Sequence, residues 1–276
     1  MTFQIIMILA LVQGITEFLP VSSSGHLLLV HALFQSEAGL EVFKQNLLLD
    51  VAVHVGTLFS VLLYFHSDVL QMLCGLKKMV TGNIKNAETK LDLYLLISSL
   101  PVIAAGLAIS LAGFYWGHNI LIVAWMTLIF GIVLWAVDAL KPAEKTLSQM
   151  NARHALLIGL AQAIALVPGT SRSGITMTMA RYLGYSRTEA ARYSLLLAII
   201  AIGGAGTLGA IGLYKMGNVT FTLDALLAMA LSFVSGYIAI HLMMRWLEKA
   251  SFKVFAIYRI LLGAALLAIG YSLMPL

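Results

Sequence analysis

Apolar positions in this chain come in long blocks, not in the alternation of a half-buried strand or the one-sided stripe of a soluble helix. Six blocks, 47–65, 93–113, 119–137, 193–214, 222–244 and 252–273, approach the about 20 apolar residues that a helix needs to cross a bilayer. Two more, 3–34 and 154–183, are apolar at both ends but polar and rich in Gly and Pro at the centre. Broken backbone survives at membrane depth only where protein buries it or where it lines a wet cavity. These two blocks therefore read as re-entrant helix–loop–helix hairpins that enter and leave on one side, with ordinary kinked spans as the alternative. The expected fold is an all-α polytopic membrane protein, a single integral membrane domain over 1–276. The segment 68–92 reads as a solvated linker.

An internal repeat refines that expectation. At an offset of 149 positions, Gln13 meets Gln162, Ile15 meets Ile164, Ser22 meets Ser171, Ser24 meets Ser173 and Gly25 meets Gly174. One position further, Gly56, Thr57 and Leu58 meet Gly206, Thr207 and Leu208, and Leu63 and Tyr64 meet Leu213 and Tyr214. Each half, 1–140 and 150–276, is then one hairpin (3–34 or 154–183) followed by three transmembrane helices. Three is odd, so the second hairpin must enter from the opposite face, which is an inverted-topology repeat. The basic residues agree. Lys77, Lys78, Lys85, Lys90, Lys141, Lys145, Arg153, Arg181, Arg187, Arg192, Arg245, Lys249 and Lys253 fall on one face, and only Lys44 and Lys215 on the other. Cytoplasmic loops carry such an excess. Both termini and the first hairpin are expected outside, and the second hairpin on the cytoplasmic side.

Composition sharpens the class. Of 276 residues, 61% are hydrophobic and 11% charged, against about a quarter charged in soluble domains. The first block lacks a basic leader, so it is expected to be retained and not cleaved. Cys74 is the sole cysteine, which excludes an internal disulfide. The net charge of +5 belongs with topology and lipid headgroups, and no nucleic-acid motif is present.

The interrupted centres hold the candidate chemistry. Residues 13–26 carry Gln13, Glu17, Pro20, three consecutive serines (Ser22, Ser23, Ser24), Gly25 and His26. Ionisable groups at this depth are costly and mark function. The second centre, 168–176, places Gly169 and Thr170 before Ser171, Arg172, Ser173 and Thr176. A guanidinium keeps its charge and forks onto phosphate or carboxylate oxygens. A half-helix starting near Ser171 would add free N–H groups and a favourable dipole, and Pro20 to Gly25 would open a second. The cradle so formed suits a strongly anionic group, and Arg172 suits Glu17 as a structural partner as well. Ser23 and His26 share a helical face, as a nucleophile with its base or as a donor and a general acid. Gln13 and Glu17, one turn apart, suit joint coordination of a hard cation such as Mg²⁺ or Ca²⁺, or Glu17 orienting His26 or Arg172. Asp50 and His54 read as an interfacial pair, and Arg259 as a side chain snorkelling to the cytoplasmic face.

These two motifs resemble those of the undecaprenyl-diphosphate phosphatase family of bacterial inner membranes, the bacitracin-resistance type. Gln13 to Glu17 is similar to its Glu/Gln-x-x-x-Glu motif, Pro20 to His26 to Pro-Val-Ser-Ser-x-Gly-His, and Pro168 to Thr176 to Pro-Gly-x-Ser-Arg-Ser-x-x-Thr. Phe255-Ala256-Ile257-Tyr258-Arg259 extends the likeness towards the C-terminus. The chain departs at Ile200, where family members often carry proline. The resemblance implies hydrolysis of a C55 polyprenyl diphosphate to the monophosphate, recycling a cell-wall lipid carrier and conferring bacitracin resistance. It implies divalent-cation dependence and an active site open to the periplasm. By position, Glu17, Ser23, His26 and Arg172 form the catalytic group, and Ser22, Ser24, Ser171, Ser173 and Thr176 line the diphosphate. Expected partners are the lipid substrate, membrane lipids and a second copy of the chain in a homodimer. The competing expectation is a transporter or flippase of a polyprenyl phosphate, because inverted repeats with broken helices also build carriers.

Overall fold

The computed structural model describes residues 3–34, 40–82, 86–113, 119–215 and 223–272. They form α1 (Phe3–Phe18), α2 (Ser23–Phe34), α3 (Leu40–Tyr64), α4 (His66–Val80), α5 (Ala87–Leu111), α6 (Ile120–Leu140), α7 (Ala152–Ile164), α8 (Arg172–Tyr182), α9 (Arg187–Lys215), α10 (Leu223–Lys249) and α11 (Lys253–Ser272), with a 3-10 turn at Leu147–Gln149. Among the described residues there is no strand, only an isolated bridge between Lys145 and Tyr185. α5, α6, α9, α10 and α11 are long and apolar enough to cross a membrane, and α3 joined to α4 makes a sixth candidate. Their outer faces are apolar: Leu100, Ile103, Leu107 and Leu111 stand exposed along one side of α5. The molecule is a multi-pass membrane protein. Each of the six predicted spans contains a long helix, and several helices run past the apolar blocks because charged residues continue them into the interface, as Arg187–Glu189 of α9 and Arg245–Lys249 of α10 do. α9 is one helix through Ile200.

Two expectations need correction. The segment 68–92 is not a solvated linker. The chain turns by 89° at Phe65 into α4, whose apolar Leu70, Leu73, Leu76 and Val80 are exposed beside Lys77 and Lys78. Asp68 of α4 is buried against Arg192 of α9. Arg259 does not snorkel: it is fully buried, with its Nε and Nη2 donating to backbone carbonyls inside the bundle.

The blocks 3–34 and 154–183 each form two short helices around a break, α1–α2 and α7–α8, and within each pair the helices pack on one another. Each pair also leans on a long helix through a small residue, which lets backbones approach closely. A side chain at Gly14 would collide with Ser235 of α10, and one at Gly159 would meet the Ser98 carbonyl oxygen of α5 at 2.6 Å. At one pole of the bundle, Asp138 ties the ends of four helices together. Its Oδ1 accepts from Arg181 Nε and Arg187 Nε, both at 2.8 Å, and its Oδ2 from the Phe252 N–H at 2.9 Å. Arg181, also fully buried, donates onward to the carbonyls of Pro142, Tyr185 and Lys141.

Candidate active site

The two breaks are built alike. Ser22 and Ser171, the residues entering α2 and α8, have φ of 74° and 69°, a region non-glycine residues occupy at a cost of about 1–3 kcal/mol. In each break the hydroxyl lies 3.3 Å from that of the serine two residues on, Ser22 to Ser24 and Ser171 to Ser173. Ser171 also caps α8 by accepting the Gly174 N–H. The breaks meet in space: Ser173 Oγ donates to the carbonyls of Leu19 (3.0 Å) and Glu17 (3.4 Å), and the Gly169 N–H reaches Ser24 Oγ at 3.4 Å. Gly169 has φ +92° and lies against the Val123 backbone, so neither conformation nor space admits a side chain.

Glu17 is the hub. Its Oε2 accepts from Gln13 Nε2 and from Ser23 Oγ, each at 2.9 Å, and its Oε1 accepts from Arg172 Nη2 at 3.1 Å. The carboxylate is buried and the guanidinium nearly so, which strengthens their attraction and makes a lone partner costly. Arg172 Nη1, Arg259 Nη1, Thr170 Oγ1 and Gln13 Oε1 are buried without a hydrogen-bond partner among the described residues. Three of these four are donors from the second break and its clamp, the array that an anion would satisfy.

The predicted residues therefore converge, but not in every predicted pairing. Ser23 gives its proton to Glu17, not to His26. His26 Nδ1 lies 2.7 Å from the Ser22 carbonyl oxygen and Nε2 lies 2.6 Å from the Tyr258 hydroxyl. Thr176 is buried, and its hydroxyl bonds the Arg172 carbonyl and Ser194 of α9, holding α8 in place. Asp50 and His54 do not pair through their side chains: His54 Nδ1 bonds the Asp50 carbonyl oxygen, and Nε2 faces Glu17 Oε2 at 4.0 Å. The site also takes in His54, Tyr258 and the clamp of Arg259 on Gly169, Thr170 and Thr127, which lie outside the two motifs. Their signals lay in the sequence: an imidazole and a guanidinium inside apolar helices, and the 255–259 stretch. An apolar groove of about 490 Å³ opens between α1, α10 and α11, lined by Ile15, Leu19, Leu242, Met243, Trp246 and Phe255.

Known proteins resemble this chain along most of its length. The family model described as bacitracin resistance protein BacA matches residues 6–265. An undecaprenyl-diphosphatase of Ruegeria pomeroyi is 43% identical over 268 residues, 97% of this chain and 98% of the relative. One of Jannaschia sp. is 44% identical over 266 residues, covering 96% and 97%, and one of Dinoroseobacter shibae 42% identical over 273 residues, covering 99% and 100%. A family match that takes in both breaks and the Tyr258–Arg259 pair leaves one assignment: the chain belongs to the bacitracin resistance protein BacA family.

Proposed function

We propose that this chain hydrolyses undecaprenyl diphosphate to undecaprenyl phosphate and phosphate. The observation that carries the reading is the Glu17 hub, which joins a hydroxyl, a guanidinium and an amide across two broken helices. The names of the relatives favour hydrolysis over transport on the same scaffold. The diphosphate lies between the starts of α2 and α8, its oxygens taken by Arg172, the hydroxyls of Thr170, Ser22, Ser24, Ser171 and Ser173, and backbone N–H groups near Gly169. The apolar groove beside Leu19 suits part of the polyprenyl chain.

Ser23 Oγ attacks the terminal phosphorus and passes its proton to Glu17 Oε2, to which it already donates. The bond from that phosphorus to the bridging oxygen breaks, and undecaprenyl phosphate leaves. Water then attacks the phosphoserine, releases phosphate and returns the proton to Ser23, with His26 at the edge of the cleft as acid and base. Fixed positive charge stabilises the loose transition state, where electrostatics supply most of the rate.

The donor set suits a hard cation. Gln13 Oε1 is a buried carbonyl oxygen without a partner among the described residues, and Glu17 adds carboxylate oxygens one turn away. Among the described residues no three His, Cys, Asp or Glu side chains cluster, so Mg²⁺ or Ca²⁺ would share substrate oxygens with Gln13 and Glu17. Such an ion would neutralise part of the diphosphate charge.

The halves 1–140 and 150–276 form an inverted-topology repeat whose hairpins are re-entrant. The matched Ser22/Ser24 and Ser171/Ser173 geometry and the corresponding contacts, α1 with α10 and α7 with α5, support it. The basic bias supports a bacterial inner-membrane orientation with the site open to the periplasm. The experiment is phosphate release from polyprenyl diphosphates by purified protein, beside Ser23→Ala, His26→Ala and Arg172→Ala, with rapid-quench trapping of phosphoserine. Turnover strongly lowered in the variants and a phosphoenzyme trapped in wild type support the reading. Burst-free turnover without phosphoserine moves the attack from Ser23 to water, and no turnover by folded wild type overturns the hydrolase.

A further inference from the structure

We propose that Tyr258 is a positioning residue for His26, fixing the tautomer and the orientation of the imidazole; this rests on the phosphatase reading of the site. The atoms around the ring dictate the proton's place. Ser22 presents a carbonyl oxygen, which only accepts, 2.7 Å from Nδ1, so Nδ1 carries the proton in the neutral ring. Nε2 then keeps its lone pair, and the Tyr258 hydroxyl at 2.6 Å donates to it. The two rings lie parallel, 6° apart in plane with centroids 5.7 Å apart. An imidazole held at both nitrogens, and attached to α2 by its own Cα, has one orientation.

The helix that carries Tyr258 is itself fixed to the other half of the site. The next residue, Arg259, is fully buried and donates to the carbonyls of Gly169 (3.1 Å), Thr170 (2.8 Å) and Thr127 (3.3 Å). One dipeptide of α11 thus holds the imidazole of the first break and the anion-facing loop of the second at a set separation. Phosphoryl transfer requires that registry, because a small misplacement of a catalytic group costs rate without touching the chemistry. Tyr258 is 43% exposed, so its ring is not a core element and loss of its hydroxyl leaves the helix bundle intact.

The test compares wild type, Tyr258→Phe, His26→Ala and the double variant, each shown folded by an unchanged thermal transition. Tyr258→Phe is expected to lower kcat about tenfold, the size of one net hydrogen bond, with KM unchanged, and to have no further effect when His26 is already alanine. Undiminished kcat in Tyr258→Phe, or an equal loss in both backgrounds, overturns the proposal. A second arm reads the ring by ¹⁵N NMR of labelled histidine, with His26 identified by its loss in His26→Ala. Wild type is expected to hold the proton on Nδ1, and Tyr258→Phe to shift the Nε2 signal. A proton on Nε2 in wild type, or an Nε2 signal that ignores Tyr258→Phe, overturns the proposal even if the variants prove inactive. Absence of turnover in wild type counts against the phosphatase alone and leaves this arm to decide the contact.

Discussion

At the scale of residues, the hub distributes one carboxylate among three roles. Glu17 holds Ser23 through one oxygen and Arg172 through the other, and Gln13 donates its amide N–H to Glu17 and leaves its carbonyl oxygen without a partner among the described residues. Arg172 bonds Glu17 through Nη2, while Nη1 has no hydrogen-bond partner among the described residues. A lysine is a point charge and cannot hold the carboxylate and a phosphate oxygen in that fork. Arg172→Lys is therefore expected to lower kcat by about 10²–10³-fold, the cost of a transition-state donor, in phosphate-release assays. Chelation should also lower turnover, with Mg²⁺ or Ca²⁺ restoring it. Gln13→Ala should raise the cation concentration needed for half-maximal rate; an unchanged cation requirement would remove Gln13 from that role. The i, i+4 spacing of Gln13 and Glu17 was legible in the sequence, because a helix places such residues on one face. The partner of His26 was not, because Tyr258 lies 232 positions away and only packing of α11 brings it near.

At the scale of elements, the breaks depend on backbone conformations that few residues tolerate. Gly82 and Gly169 both have φ above +80°, but a Cβ at Gly82 meets nothing within 4 Å whereas one at Gly169 meets the Val123 backbone. Gly82→Ala should cost about 1 kcal/mol from conformation alone. Gly169→Ala should cost more than the about 1–3 kcal/mol of backbone strain, since α6 must also move, and should abolish turnover. Thermal unfolding in detergent ranks the two, and equal costs would show that the loop yields freely. The position of the breaks was readable from Pro20, Gly25, Pro168 and Gly169 inside apolar blocks. α4 was not, because its charged residues match a solvated loop, and only the 89° turn and the Asp68–Arg192 pair give it a place.

At the scale of the whole molecule, the pole around Asp138 and the site around Glu17 are separate uses of buried charge. Asp138→Ala leaves Arg181 buried among carbonyls without its anion, so it should cost about 3–5 kcal/mol, seen as a lowered thermal transition, with turnover retained by the folded fraction. Orientation has a direct probe in Cys74, the sole cysteine, exposed on α4. A membrane-impermeant maleimide should label it in inverted vesicles and not in intact cells stripped of their outer membrane; the reverse pattern would invert the topology.

The sequence by itself determined the membrane class, the broken blocks, the serine and arginine motifs and the likeness to a phosphatase family. Each of these rests on local pattern: the length of apolar runs set by bilayer thickness, the 3.6-residue helical period, and residues near one another along the chain. The tertiary structure decided which groups touch. It gave Ser23 to Glu17 and His26 to Tyr258, turned Arg259 inward onto the second break, and set His54 beside the carboxylate. The physical reason is that a desolvated polar atom must find a partner wherever packing puts one, and packing in a helix bundle ignores distance along the chain.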